Sequence, residues 1–315
     1  MRTKRDAKTL AWSIEAARTP TASVPDKLSA AEFLVAYGAS DEADAAIHAA
    51  NVRMQVSGLK GGPSLTKLME RLATISRRFR DARLETALKK LGTFGARLLD
   101  ENEEAVLSTA KGARTLLVVF GTMNNDFWVS LPVLHCLLPT ERTSVLYLKD
   151  PREMMYLRGL ETYGATFESL CAGVRKVADD LSISDIRITG FSSGGYAGLL
   201  LASIIEASAF LGFSIRTDLS ETSPLPMDRY VVREDLRRTA SELLLDLKPV
   251  LRKKAAPKVG VLYYGKMTEL DATHAKHLAD LPNFIVKEVP ETLHNTVMSL
   301  LADGKFEGIV RKFLA

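Results

Sequence analysis

The residues of this chain best suited to chemistry gather in Gly190-Phe191-Ser192-Ser193-Gly194, which reads G-x-S-x-G. Before it, Ile186 to Thr189 is a short run suited to a strand buried on both faces, and from Tyr196 onward the chain is apolar and helix-like. A strand that turns this sharply into a helix leaves no room for side chains two residues either side of its apex, so both positions are glycine. The apex residue, Ser192, is then held in strained backbone with its hydroxyl raised above the sheet, and the positive end of the helix points at the same spot. Such a hydroxyl can attack an acyl carbon once a base takes its proton. Five histidines are candidates for that base: His48, His135, His274, His277 and His294. His274 and His277 stand one turn apart on an expected helix after Gly265, where surface or packing roles are expected. His294 lies in Pro290-Glu291-Thr292-Leu293-His294-Asn295, between the last expected strand and the final helix. Clustered metal ligands and a phosphate-binding glycine loop are missing from the pattern, so the sequence implies no cofactor and no metal.

Bringing a serine, a base and a carboxylate together takes a scaffold, and from Ala105 onward the sequence alternates as one. Strands are expected at Thr115 to Phe120, Ser144 to Leu148, Ile186 to Thr189, Ala209 to Ser214, Val259 to Tyr264 and Phe284 to Val289. Helices are expected at Val129 to Leu138, at Phe167 to Leu181 and at the C-terminus, ending near Phe313. This order implies an α/β fold with a mostly parallel sheet flanked by helices. A polar, helix-prone insertion runs from Arg216 to Pro257. Residues 1–104 show helical periodicity alone and form a helical N-terminal region ahead of a domain at 105–315. There, Ser29-Ala30-Ala31-Glu32 has capping-box spacing ahead of Phe33, Leu34 and Tyr37. A second helix is expected from Asp41 to Gln55, before a break at Gly58 to Pro63. Leu65, Leu68, Leu72, Ile75 and Phe79 form an apolar stripe, which Leu84, Leu88 and Leu91 extend or repeat before Gly92 and Gly95. These stripes are expected to pack internally or on the following domain, with self-association or a protein partner as the other use of the region.

Composition sets outer bounds. With 315 residues, 46% hydrophobic and 25% charged, the chain can bury a large core. A net charge of +4, with acids and bases interleaved, calls for no nucleic acid. Arg77, Arg78, Arg80 and Arg83 read as the solvated face of a helix, the other reading being an acidic partner or a membrane surface. Cys136 and Cys171 lie far apart without C-x-x-C spacing, which fits a reducing cytoplasm. Asp6, Lys8 and Glu15 leave no apolar run for a signal peptide, and the apolar stretch from Tyr196 to Ile215 divides into a buried helix and a buried strand rather than a membrane span.

The G-x-S-x-G pattern in its strand-turn-helix setting, with the order of elements around it, resembles the α/β-hydrolase superfamily over roughly Ala105 to Ala315. The N-terminal helices fall outside the resemblance, and the sheet looks truncated, with fewer strands ahead of Phe120 than the superfamily usually has. The resemblance implies a helical cap at about 216–257 and the chain order serine, acid, histidine. That order disfavours His48 and His135 and points to His294 as the base. The acid should follow Val259 to Tyr264. Three residues after Gly265, where the superfamily often has aspartate, this chain has Thr268, so Asp271 and then Glu269 are the candidates, with Asp218 as an outsider. Asp271 also reads as an N-cap for the helix carrying His274. For the oxyanion hole the resemblance implies the N–H of Ser193 and one from the loop after Phe120, at Thr122 or Met123. The expectation is a serine hydrolase acting on a small-molecule ester or thioester, the alternatives being an acyltransferase with the same residues or an inactive scaffold of the same fold.

Overall fold

The computed structural model describes residues 7–19, 21–56, 63–225, 234–254 and 257–315. The Gly58 to Pro63 break lies, as far as Gly62, outside the described residues, as do 226–233 and 255–256 of the insertion. Two compact units divide the chain. One holds Met1–Leu99, Trp128–Leu138 and Met298–Glu307, and the other holds Asp100–Phe127, Pro139–Val297 and Gly308–Ala315.

Among the described residues, the larger unit is built on seven strands: β1 Ala105–Ser108, β2 Thr115–Phe120, β3 Thr143–Leu148, β4 Asp185–Phe191, β5 Ala209–Phe213, β6 Val259–Gly265 and β7 Phe284–Val289. Their order in the sheet is β1-β3-β2-β4-β5-β6-β7, with β1 antiparallel to β3 and every other pairing parallel. The fold class is as expected from the alternation, an α/β fold with a mostly parallel sheet flanked by helices. β2 and β3 are buried at every residue, which is why Thr-Leu-Leu-Val-Val-Phe reads as a continuous apolar run. β1 is a correction: one strand precedes Thr115. Its four residues bury only Val106, too short an alternation to register as a strand.

Strand register decides where the loops come together. Phe120 is level with Gly190, Gly190 with Gly212, and Gly212 with Leu262. The carboxyl ends of four neighbouring strands therefore finish together, and the loops that leave them share one edge of the sheet. Helix α8, Ser192–Ile204, leaves β4 directly and packs on β2, β4 and β5; its small, apolar first turns are buried on all sides. Helix α11, Glu269–His277, packs on β6 and β7. The core lies between sheet and helices and includes Leu116, Val118, Phe120, Ile188, Leu199, Phe210 and Leu262. In the insertion, Asp218 pairs with Asp246 as an isolated antiparallel bridge just before helix α10, Leu247–Lys254, which packs on α8.

The smaller unit gathers α1 Ala7–Arg18, α2 Val24–Ala36, α3 Ser40–Val56, α4 Pro63–Asp81, α5 Leu84–Leu99 and α6 Leu131–Leu137. The capping box sits six residues earlier than its sequence reading: Ser23, ahead of Pro25, caps α2 with Asp26, whose N–H donates to the serine hydroxyl oxygen at 3.2 Å. Ser29 to Glu32 lies inside that helix. Of the expected stripe, Leu72, Ile75 and Phe79 are buried in α4 while Leu65 and Leu68 are only half-buried, and Met69, outside the stripe, is buried with them. Helix α5 continues past Gly92, where φ is 52° and the helical geometry breaks, and ends only at Leu99. Trp128 Nε1 donates to Glu32 at 3.0 Å, the Ser130 N–H to the Ala36 carbonyl at 2.8 Å, and the His135 ring lies 4.8 Å from that of Phe94. The expected single C-terminal helix is two, α12 Thr296–Ala302 and α13 Phe306–Leu314.

Candidate active site

Ser192 is the first residue of α8 and has φ of 53°, a left-handed conformation that serine adopts only where its surroundings impose it. A Cβ on Gly190 would stand 2.6 Å from the Gly195 Cα, and one on Gly194 would stand 2.2 Å from the Gly121 carbonyl oxygen. Both clashes are with backbone, so the turn that lifts Ser192 exists only with glycine at these positions.

The Ser192 hydroxyl oxygen lies 2.8 Å from His294 Nε2, and His294 Nδ1 lies 3.0 Å from each carboxylate oxygen of Asp271. The three residues follow β4, β6 and β7 at the same edge of the sheet, two of them in the first turns of α8 and α11. His294 follows β7 on a turn held by the Met267 N–H on the Thr292 carbonyl (2.9 Å) and by the Thr296 N–H on the carbonyl of His294 itself (2.8 Å). Its ring is 5.5 Å from that of Phe191 at a 30° tilt. Asp271 lies in the first turn of α11, whose cap position is Thr268, and has no solvent exposure. Asp271 is therefore not the N-cap.

Arg216, just past β5, places Nη1 2.9 Å from Asp271 Oδ1 and is itself buried. Burial pushes the Asp271 carboxyl up, but the hydrogen bond and charge of His294, followed by the charge and hydrogen bond of Arg216, outweigh it and hold the group below the usual carboxylate range. With Asp271 ionised, Nδ1 of His294 carries a proton toward it and Nε2 is left to accept from Ser192.

Other expected residues are placed differently. Glu269 is exposed at the start of α11 and makes no hydrogen bond to His294. Only the side of the helix on which Asp271 stands faces inward. His274 is fully buried, with Nδ1 3.2 Å from the Thr217 N–H, and His277 Nε2 is 2.7 Å from Asp246. Asp218 accepts from the N–H and hydroxyl of Ser220, and His48 is exposed on α3. Thr122 cannot offer its N–H, which donates to the Asp126 carbonyl at 2.8 Å within its own turn. Met123 is the remaining donor on that loop, and its N–H is engaged by the Ser193 hydroxyl oxygen at 3.1 Å. Arg216 is the residue that sequence reasoning missed. The available signal was a charge interrupting the apolar run Phe213-Ser214-Ile215 at the end of a strand.

Among the described residues, one cluster has the right types for a cation: the ligand atoms of Asp218, Asp246 and His277 lie within 4.8 Å of one another. They are already hydrogen-bonded, His277 to Asp246, Asp246 to the Lys248 N–H and Asp218 to Ser220. No helix among the described residues is long and apolar enough to cross a membrane.

No protein-family model matches the sequence, and no curated protein is significantly similar to it. Many solved structures are similar in fold. MenH from S. aureus is 17% identical, with 67% of this chain and 97% of that one covered at a TM-score of 0.46. The S-formylglutathione hydrolase FrmB from Staphylococcus aureus is 14% identical, covering 66% and 86% at 0.47. Carboxyl esterase 2 from the fungus Tuber melanosporum is 16% identical, covering 67% and 80% at 0.42. The architecture is a mostly parallel sheet with helices on it and a strand that turns at once into a buried helix.

Proposed function

We propose that this protein is a serine hydrolase that cleaves a carboxylic ester or thioester through an acyl-enzyme on Ser192. The observation that carries the reading is the unbroken line from Ser192 Oγ through His294 to Asp271, with hydrogen bonds of 2.8 and 3.0 Å. Ser192 attacks the acyl carbon while His294 Nε2 takes its proton, and Asp271 orients the ring and stabilises the imidazolium. His294 then returns the proton to the leaving alcohol or thiol, and water, deprotonated by the same nitrogen, releases the acid. The N–H of Ser193 and that of Met123 stabilise the oxyanion, each worth about two to three orders of magnitude in rate. For the second donor to serve, the Ser193 hydroxyl has to leave it.

A fluorophosphonate probe tests this directly. The wild type should be labelled and Ser192→Ala should not. Equal labelling of both, or none of a folded wild type, overturns hydrolysis and favours an inactive scaffold of the same fold.

A further inference from the structure

We infer that Arg216 is a positioning residue for the proposed reaction: its ion pair keeps Asp271 ionised and oriented while His294 is neutral, and so sets the lowest pH at which His294 can act as a base. The inference rests on Ser192, His294 and Asp271 acting as proposed.

A carboxylate with no exposure to water stays charged only through its partners. Among the described residues Asp271 has two, His294 at 3.0 Å and Arg216 at 2.9 Å. A base ready to act is uncharged, so in that state Arg216 is the one cation left beside the carboxylate. Without it, a buried carboxylate against a neutral imidazole would hold a shared proton to higher pH, and that proton blocks Nε2 chemistry.

The guanidinium is also fixed in place. Thr217, the next residue, donates its hydroxyl to the His274 carbonyl at 2.8 Å and its N–H to the His274 ring at 3.2 Å, one turn along α11 from Asp271. Asp218 then pairs with Asp246, which holds His277 another turn along. Three consecutive residues after β5 are thus tied to α11, Asp218 through Asp246, and Arg216 is only 5% exposed. Among the described residues, the groups hydrogen-bonded to the His294–Asp271 pair are Ser192 from α8 and Arg216 from the segment after β5, with His274 one turn beyond Asp271 on α11. Phe191 adds an uncharged ring and Glu269 faces solvent.

A charge on the far side of one carboxylate, at an effective dielectric near 20, moves a titration by roughly one to two pH units. The test is the ring titration of His294 followed by NMR in the full chain, its signals identified by their loss in His294→Gln. In Arg216→Met the midpoint should rise by about one to two units from the wild type, whereas Arg216→Lys, which keeps the charge, should stay within about half a unit. Removing one partner of a buried pair is destabilising. Arg216→Gln therefore reads the same shift should the methionine variant not fold, and a melting curve accompanies each protein. Below its raised midpoint Arg216→Met should react with fluorophosphonate about tenfold or more slowly than wild type and recover at higher pH, a recovery that mere structural damage would not show. A folded Arg216→Met or Arg216→Gln with an unmoved midpoint, or a lysine variant shifted as far as methionine, overturns the role. Because the titration needs no turnover, an unlabelled wild type sinks the hydrolase reading while the midpoints still decide Arg216.

Discussion

Ser193 follows Ser192 directly and holds its hydroxyl oxygen on the Met123 N–H. In the proposed mechanism that N–H belongs to the oxyanion, so each turnover has to break the bond first. A neutral hydrogen bond contributes about 0.5–1.5 kcal/mol net, so Ser193→Ala should raise kcat/KM on an activated ester by roughly two- to tenfold. A tenfold loss instead would mean that the hydroxyl itself donates to the oxyanion. Ser192 and His294 were legible in the sequence because a tight turn and a strand end leave local marks: glycines that no other residue can replace and a proline closing β7. The carboxylate at His294 Nδ1 was legible only to the level of a helical turn. Glu269 and Asp271 are two residues apart, and burial, which separates an exposed side chain from one with no exposure, is not written in spacing. Arg216 left still less, since its partner lies far along the chain and an ion pair of that kind has no period.

β2 and β3 were readable because strands buried on both faces are continuous apolar runs, and β1 escaped because an edge strand of four residues is not. Helix starts depend on single caps, and two serines with an acid three residues on competed for α2; Ser23, with Pro25 behind it, is the one used. Packing between α5 and α6 carries a pH dependence of its own. Burial pushes His135 down to about 4, against 6.5 for an ordinary histidine. The unfolded chain therefore takes up this proton first as pH falls. The stability that the neutral ring contributes is whole above about 6.5 and is lost progressively toward 4. At 1.36 kcal/mol per unit the loss by pH 4.5 is about 2–3 kcal/mol. Denaturant unfolding at pH 7 and pH 4.5 should show it in wild type and not in His135→Leu. The same fall in both proteins would place the acid sensitivity elsewhere.

At the scale of the molecule, the compact unit of N-terminal helices includes Trp128–Leu138 and Met298–Glu307, drawn from far along the chain. Deleting residues 1–95 would take Glu32 from Trp128, the Ala36 carbonyl from the Ser130 N–H and Phe94 from His135. Groups that lose their partners in this way make a chain less stable and more prone to associate. The truncated protein should aggregate or melt several degrees lower, roughly 2–4 °C per kcal/mol lost for a chain of this size; equal solubility and melting would show the region to be separable. The Asp218 to Asp246 bridge has a different kind of consequence. It closes residues 219–245 into a loop whose two ends meet, downstream of Arg216 and upstream of α10. Lengthening a loop already closed at its base costs little, about 0.6 kcal/mol for each doubling. Evolution, or an engineer, can therefore lengthen that loop at its exposed turn, Glu221–Thr222, while Leu219, Leu236, Ala240 and Leu244 keep their places in the core and β5, Arg216 and α11 stay in register.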